Sequence, residues 1–111
     1  MKSPLVSIII PACHEEKTIG AVLDGIEHQV KTPHEVIVVI DKDDTDGTDG
    51  VARAFAKTHR NIIVLVRKKT AQSGFARALA DGFAKAKGEF VVPVMGDGCD
   101  DAATIDGMVR V

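Results

Sequence analysis

Four short runs of mostly branched apolar residues, at 5–10, 35–40, 61–66 and 90–94, alternate with stretches whose apolar residues return every three or four positions. Near-continuous apolar runs suit strands covered on both faces, and the intervening spacing is that of helices packed by one face. Strand–helix–strand alternation of this kind builds parallel βαβ units. With right-handed crossovers, the expected fold is an α/β domain whose parallel sheet has the order 3-2-1-4, flanked by helices. The first helix face comprises Ile19, Val22, Leu23, Ile26 and Val30. The second comprises Val51, Ala54 and Phe55, capped by Thr48 or Asp49 after an acidic loop at 41–50. The third comprises Phe75, Ala78, Leu79, Gly82, Phe83 and Ala86, with Gly88 as its C-terminal stop. A last helix is expected from Ala102, with Ile105, Met108 and Val109 inward. Pro11 is expected to end the first strand. Pro93, which donates no ladder bond, fits the fourth only at an edge or a bulge.

A length of 111 residues allows one domain, 1–111, with no internal repeat or linker. The net charge of −2 argues against a broad basic surface, so nucleic acid is not an expected partner. Cys13 and Cys99 lie far apart without metal-ligand spacing and read as free thiols of a reducing compartment. Apolar residues begin at Leu5 and run directly into a core strand, unlike a signal peptide, and no run approaches the ~20 residues that span a bilayer. A cytoplasmic location is expected.

Polar clusters follow three of the strands: Cys13 to Glu16, Asp41 to Asp44, and Asp97 to Asp101. In a parallel sheet all three emerge on one edge, the carboxyl edge where open α/β sheets bind ligands. Acidic loops before helices also arise simply because Asp caps helices and Glu suits a first turn. Three of them crowded together repel one another unless a cation or a donor-rich ligand is present. Carboxylates alone would repel a phosphate, so Mg²⁺ or Mn²⁺, with oxygen ligands shared between protein and phosphate, is the expected cofactor. Arg67, Lys68 and Lys69 form a basic run that reads equally as a solvated loop or as an approach to the same phosphates. The turn after the first strand lacks Gly-x-Gly-x-x-Gly, and no Gly-Lys-Ser or Gly-Lys-Thr precedes a helix, which removes dinucleotide and P-loop sites.

These segments resemble inverting family 2 glycosyltransferases. The stretch from Val6 to Glu16 is similar to their opening V-S-I-I-I-P-A-Y-N-E-E, and Val38 to Thr48 resembles V-V-D-D-G-S-T-D-G-T. Ser73 to Leu79 with Gly82 resembles their glycine- and alanine-rich helix, and Gly88-Glu89-Phe90 leads into the strand that carries D-x-D. The text is most similar to dolichol-phosphate mannosyltransferase-like enzymes. The resemblance implies a GT-A fold, Rossmann-like, of which this chain is the N-terminal half, a truncated donor-binding subdomain. It implies that Pro11, Ala12, Cys13, Glu15, Asp41, Lys69 and Gly74 line a nucleotide site and that Asp97, Asp100 and Asp101 hold the cation. Cys13 and His14 depart from the family's aromatic residue and Asn, and Met95 stands where the first aspartate of D-x-D falls.

The function implied is transfer of a sugar from a nucleotide-diphosphate sugar, with inversion, to a polyprenyl or dolichyl phosphate or another glycan acceptor. The base is expected beyond Val111, which leaves this piece inactive alone, at the cytoplasmic face of a membrane. A non-catalytic α/β binding or assembly module is the alternative, favoured by Met95. A sugar nucleotidyltransferase is disfavoured because its glycine-rich phosphate loop is absent. An unpaired fourth strand predicts a homo-oligomer through the exposed sheet edge.

Overall fold

The computed structural model describes residues 5–12, 16–30, 33–40, 47–67 and 75–94. The expected sheet is present. Strands β1 (Val6–Ala12), β2 (His34–Ile40), β3 (Ile62–Val66) and β4 (Phe90–Pro93) run parallel in the order β3-β2-β1-β4. Helices α1 (Ile19–Gln29), α2 (Thr48–Thr58) and α3 (Phe75–Lys85) connect them. The expected helix from Ala102 lies outside the described residues.

The sheet divides two cores. Val6, Ile8, Ile10 and Ala12 of β1 share a face with Val36, Val38, Ile40, Val92 and Val94. Ile19, Leu23 and Ile26 of α1 and Ala52 of α2 close that face. On the other, Ile9, Ile37 and Val39 pack with Ala78 of α3. The central strands β1 and β2 are thus buried on both sides, the physical reason for their near-continuous apolar text. Two helices on one face and the third on the other follow from handedness. The chain moves outward from β1 to β3, then returns to the far side of β1.

Several expectations are corrected. Pro11 does not end β1 but lies within it, opposite Val39. Ile9 accepts from Val94 on the β4 side, so the alternation of the ladder turns the nitrogen of Pro11 to that same side, past the last residue of β4. Val94 donates toward β1, and the same alternation turns the nitrogen of Pro93 outward, where β4 is the margin of the described sheet. α2 begins at Thr48 with Gly47 at the N-cap, and Thr48 is buried rather than capping. Its inner face holds Ala52, with Val51, Phe55 and Ala56 against the core, while Ala54 is exposed. Phe83 is 48% exposed at the flank of α3.

Gly82 of α3 faces the sheet at close approach. A Cβ there would run into Ile9 Cγ2 and lie 3.2 Å from Val39 Cγ2. Gly82→Ala is expected to cost ~1–3 kcal/mol by overpacking, in spite of its better helix propensity. A urea midpoint at or above that of the wild type would contradict this packing.

Candidate functional site

Three strands finish level. Ala12 pairs with Ile40 and Ile40 with Val66, so the carboxyl ends of β1, β2 and β3 form one row. β4 pairs with β1, with Pro93 opposite Ile9 and the N–H of Val94 donating to Ile9 O at 2.9 Å. Among the described residues the chain is followed through β4 to Val94, at the level of Ile10. The ends of β1 and β4 lie side by side where the strand order reverses, the position at which open α/β sheets take their ligands.

Helices begin on the same edge. α1 starts at Ile19 and α2 at Thr48, and the two pack closely near those ends. A Cβ on Gly20 would sit 3.4 Å from Val51 Cγ1 and 3.7 Å from Phe55 Cε2. Helix amino termini carry partial positive charge, and two such ends meet on this edge. Glu16, at the end of the first loop, lies against Gly47, at the end of the second. The residues at which the chain enters α1 and α2 thus meet on the rim.

Of the residues expected to bind a nucleotide, Pro11 and Ala12 are described. Pro11 is half-buried, and Ala12 is 4% exposed in the core beneath the rim. Cys13, Glu15, Asp41, Lys69 and Gly74 lie outside the described residues, as do Asp97, Asp100 and Asp101. Their attachment points do not. Cys13 follows Ala12, Asp41 follows Ile40, Lys69 comes two residues after Arg67, and Asp97 comes three after Val94. Among the described residues, no three His, Cys, Asp or Glu side chains are grouped to hold a metal ion. The carboxylate set Asp97, Asp100 and Asp101 is all-oxygen, which fits a hard dication such as Mg²⁺ or Mn²⁺.

Arg67 is not a solvated loop residue. Its side chain is 2% exposed, and Nε donates to Asp81 Oδ2 of α3 at 2.7 Å. Its backbone N–H donates to Ile40 O at 3.0 Å. The guanidinium therefore stands one residue past β3 as one half of an ion pair with Asp81, joined to α3 and to the end of β2. Basic residues directly after an apolar run were the sequence signal for it. Burial could not be read from them, because it depends on α3 crossing back over the sheet.

At the opposite end of the strands, a polar chain runs from the buried side chains of Ser7 and Glu35 to the turn at Lys87 and Gly88. Gly88 N–H donates to Ser7 Oγ at 2.8 Å, Ser7 donates to Glu35 Oε2 at 2.5 Å, and Lys87 N–H donates to the same oxygen at 2.6 Å. Far from the rim, this chain fastens the turn between α3 and β4 beneath β1 and β2.

A doubly wound α/β domain with strand ends and helix starts gathered on one carboxyl rim is the class that this geometry defines. The chain belongs to the glycosyl transferase family 2, whose model matches residues 7–110. The glycosyltransferase AglE of Haloferax volcanii is 32% identical to it over 96 residues, covering 85% of this chain and 31% of that one. Among solved structures, the mannosyltransferase PcManGT of Pyrobaculum calidifontis, in complex with GDP-Man and Mn²⁺, matches with a TM-score of 0.76 and 33% identity. That match covers 94% of this chain and 30% of the other. Glucosyl-3-phosphoglycerate synthase of Mycobacterium tuberculosis, in complex with UDP, matches with a TM-score of 0.70 and 29% identity over 85% of this chain and 34% of its own. The fold is thus that of the GT-A glycosyltransferases. The chain spans about a third of the length of these relatives.

Proposed function

We propose that this chain is the donor-binding subdomain of an inverting glycosyltransferase and binds a nucleotide-diphosphate sugar on the carboxyl rim of its sheet. The observation that carries the reading is the convergence of strand ends and helix starts on one edge, at the switch point between β1 and β4. Pro11 and Ala12 form its floor, and Cys13, Glu15, Asp41, Lys69 and Gly74 are assigned to the nucleotide. Family membership supports the assignment, as do relatives solved with GDP-Man and with UDP.

Asp97, Asp100 and Asp101 are assigned to a Mg²⁺ or Mn²⁺ ion, in keeping with a neighbour that holds Mn²⁺. When bound, such an ion supplies Lewis-acid stabilisation to the departing diphosphate. With an anionic lipid phosphate as acceptor, no strong base is needed for attack on the sugar. That makes a polyprenyl phosphate at the cytoplasmic face of a membrane the preferred acceptor. Among the described residues, no helix is long and apolar enough to cross a membrane.

Met95, at the position of the first D-x-D aspartate, favours a second reading: a nucleotide-binding or assembly module without catalysis. Titration calorimetry with GDP-mannose, UDP-glucose and their nucleotides, with and without Mn²⁺, tests the first. At least one should bind, with affinity falling roughly tenfold or more when EDTA removes the ion. Binding that ignores the ion would favour the second reading, and binding of none would refute the first and leave only an assembly role. An oligomer through the edge of β4 is also proposed, although the outward nitrogen of Pro93 removes one donor from that edge. Sedimentation as a monomer at high concentration would exclude it.

A further inference from the structure

Glu16 spans two of the rim loops. Its side chain reaches from the turn before α1 to Gly47, the N-cap residue of α2. A Cβ placed on Gly47 would fall on that carboxyl group, 2.7 Å from Cδ and 3.2 Å from Cγ, with Oε1 nearer still. Gly47 has no side chain with which to cap the helix, and the first i→i−4 bond of α2 is Val51 N–H to Gly47 O at 3.0 Å. The opening N–H groups of any helix have no partner inside it, and negative charge is favoured beside them. The Glu16 carboxyl group therefore lies beside the start of α2, brought there from the loop after β1. The close approach of Gly20 to Val51 and Phe55 keeps the starts of α1 and α2 together and the reach short.

We infer that Glu16 is a positioning residue for the donor rim. It holds the start of α2 against the end of the first loop and so fixes the spacing between the loops that follow β1 and β2. The tether is a property of the protein alone. Its consequence for the nucleotide rests on the function proposed above.

Two measurements on the 111-residue chain test it. The first is a denaturation cycle of Glu16→Ala, Gly47→Ala and the double variant. The backbone of Gly47, at φ −89° and ψ 13°, suits any residue, so Gly47→Ala harms mainly by evicting the carboxyl group. It should lower the folding equilibrium constant roughly fivefold in the wild type and markedly less when Glu16 is already Ala. Hydrogen exchange at 47–50 should quicken by a similar factor in Glu16→Ala, stay near wild type in Glu16→Gln, which keeps the acceptor, and leave β1 and β2 unchanged. Additive losses, or unchanged exchange at 47–50, overturn the tether.

The second measurement is affinity for GDP and UDP with Mn²⁺, under conditions where every variant is folded. Glu16→Ala should bind roughly tenfold more weakly, and Glu16→Gln should recover most of the loss. Equal binding by the wild type and Glu16→Ala overturns the positioning role and leaves the donor site standing. A wild-type chain that binds neither nucleotide overturns both.

Discussion

Gly88→Ala is expected to cost at least ~3 kcal/mol, the largest loss of any Gly→Ala change among the described residues. A Cβ at Gly88 would lie 2.6 Å from Ser7 Oγ, 2.7 Å from Leu5 O and 2.8 Å from Ser7 N. Two of those three atoms are backbone of the first strand and its approach, so neither can yield by changing a rotamer. Relief requires the turn to lift away from β1. That movement breaks the bonds from Gly88 N–H to Ser7 Oγ and from Glu89 N–H to Leu5 O, each 2.8 Å long. Gly82→Ala meets side chains instead, and its smaller expected cost follows from that difference. Urea denaturation of the two variants side by side provides the check. A Gly88→Ala midpoint at or above that of Gly82→Ala would refute this account of the turn.

Glu35→Ala is expected to cost about 2–4 kcal/mol, for a different reason. Glu35 is 8% exposed, and its Oε2 accepts from both the Ser7 hydroxyl and the Lys87 amide. Truncation leaves two donors without that acceptor in a largely sealed space. Glu35→Gln keeps a carbonyl oxygen at the same reach and should lose only ~1 kcal/mol. The contrast between Gln and Ala, read from urea midpoints, separates lost hydrogen bonds from lost charge. Equal losses for the two variants would mean that charge, not the shared acceptor, is what this position contributes.

The sheet was legible in the sequence because burial on both faces writes strands as apolar runs, and handed crossovers leave few orders for four such runs. Helix phase was harder where alanine supplies the inner face. In α2, Ala52, Ala54 and Ala56 are nearly interchangeable by composition. The close packing of α1 on α2 at Gly20 and Val51 places Ala52 inward and Ala54 outward. Gly88 reads as a helix stop because position after a helix is all that sequence reveals. Its contacts with Leu5 and Ser7 come from residues at the far end of the chain.

Glu16 gave the same kind of false comfort, since a glutamate before a helix explains itself locally. Its contact with Gly47 joins two loops separated by a helix and a strand. Within the candidate site, the edge on which the loops leave the sheet was inferable from parallel strands alone. The level row of Ala12, Ile40 and Val66 and the place of Val94 beside β1 required the register.

Amide chemical-shift mapping of the ¹⁵N-labelled chain, titrated with GDP or UDP and Mg²⁺, tests most directly where a ligand sits. The largest shifts should fall on Ala12, Gly47, Thr48, Arg67 and Val94, the described borders of the rim. Those at Val6, Glu35, Lys87 and Gly88, at the other end of the strands, should stay put. Shifts centred on that far end, or no shifts with either nucleotide, would contradict a donor site on the carboxyl edge of the sheet.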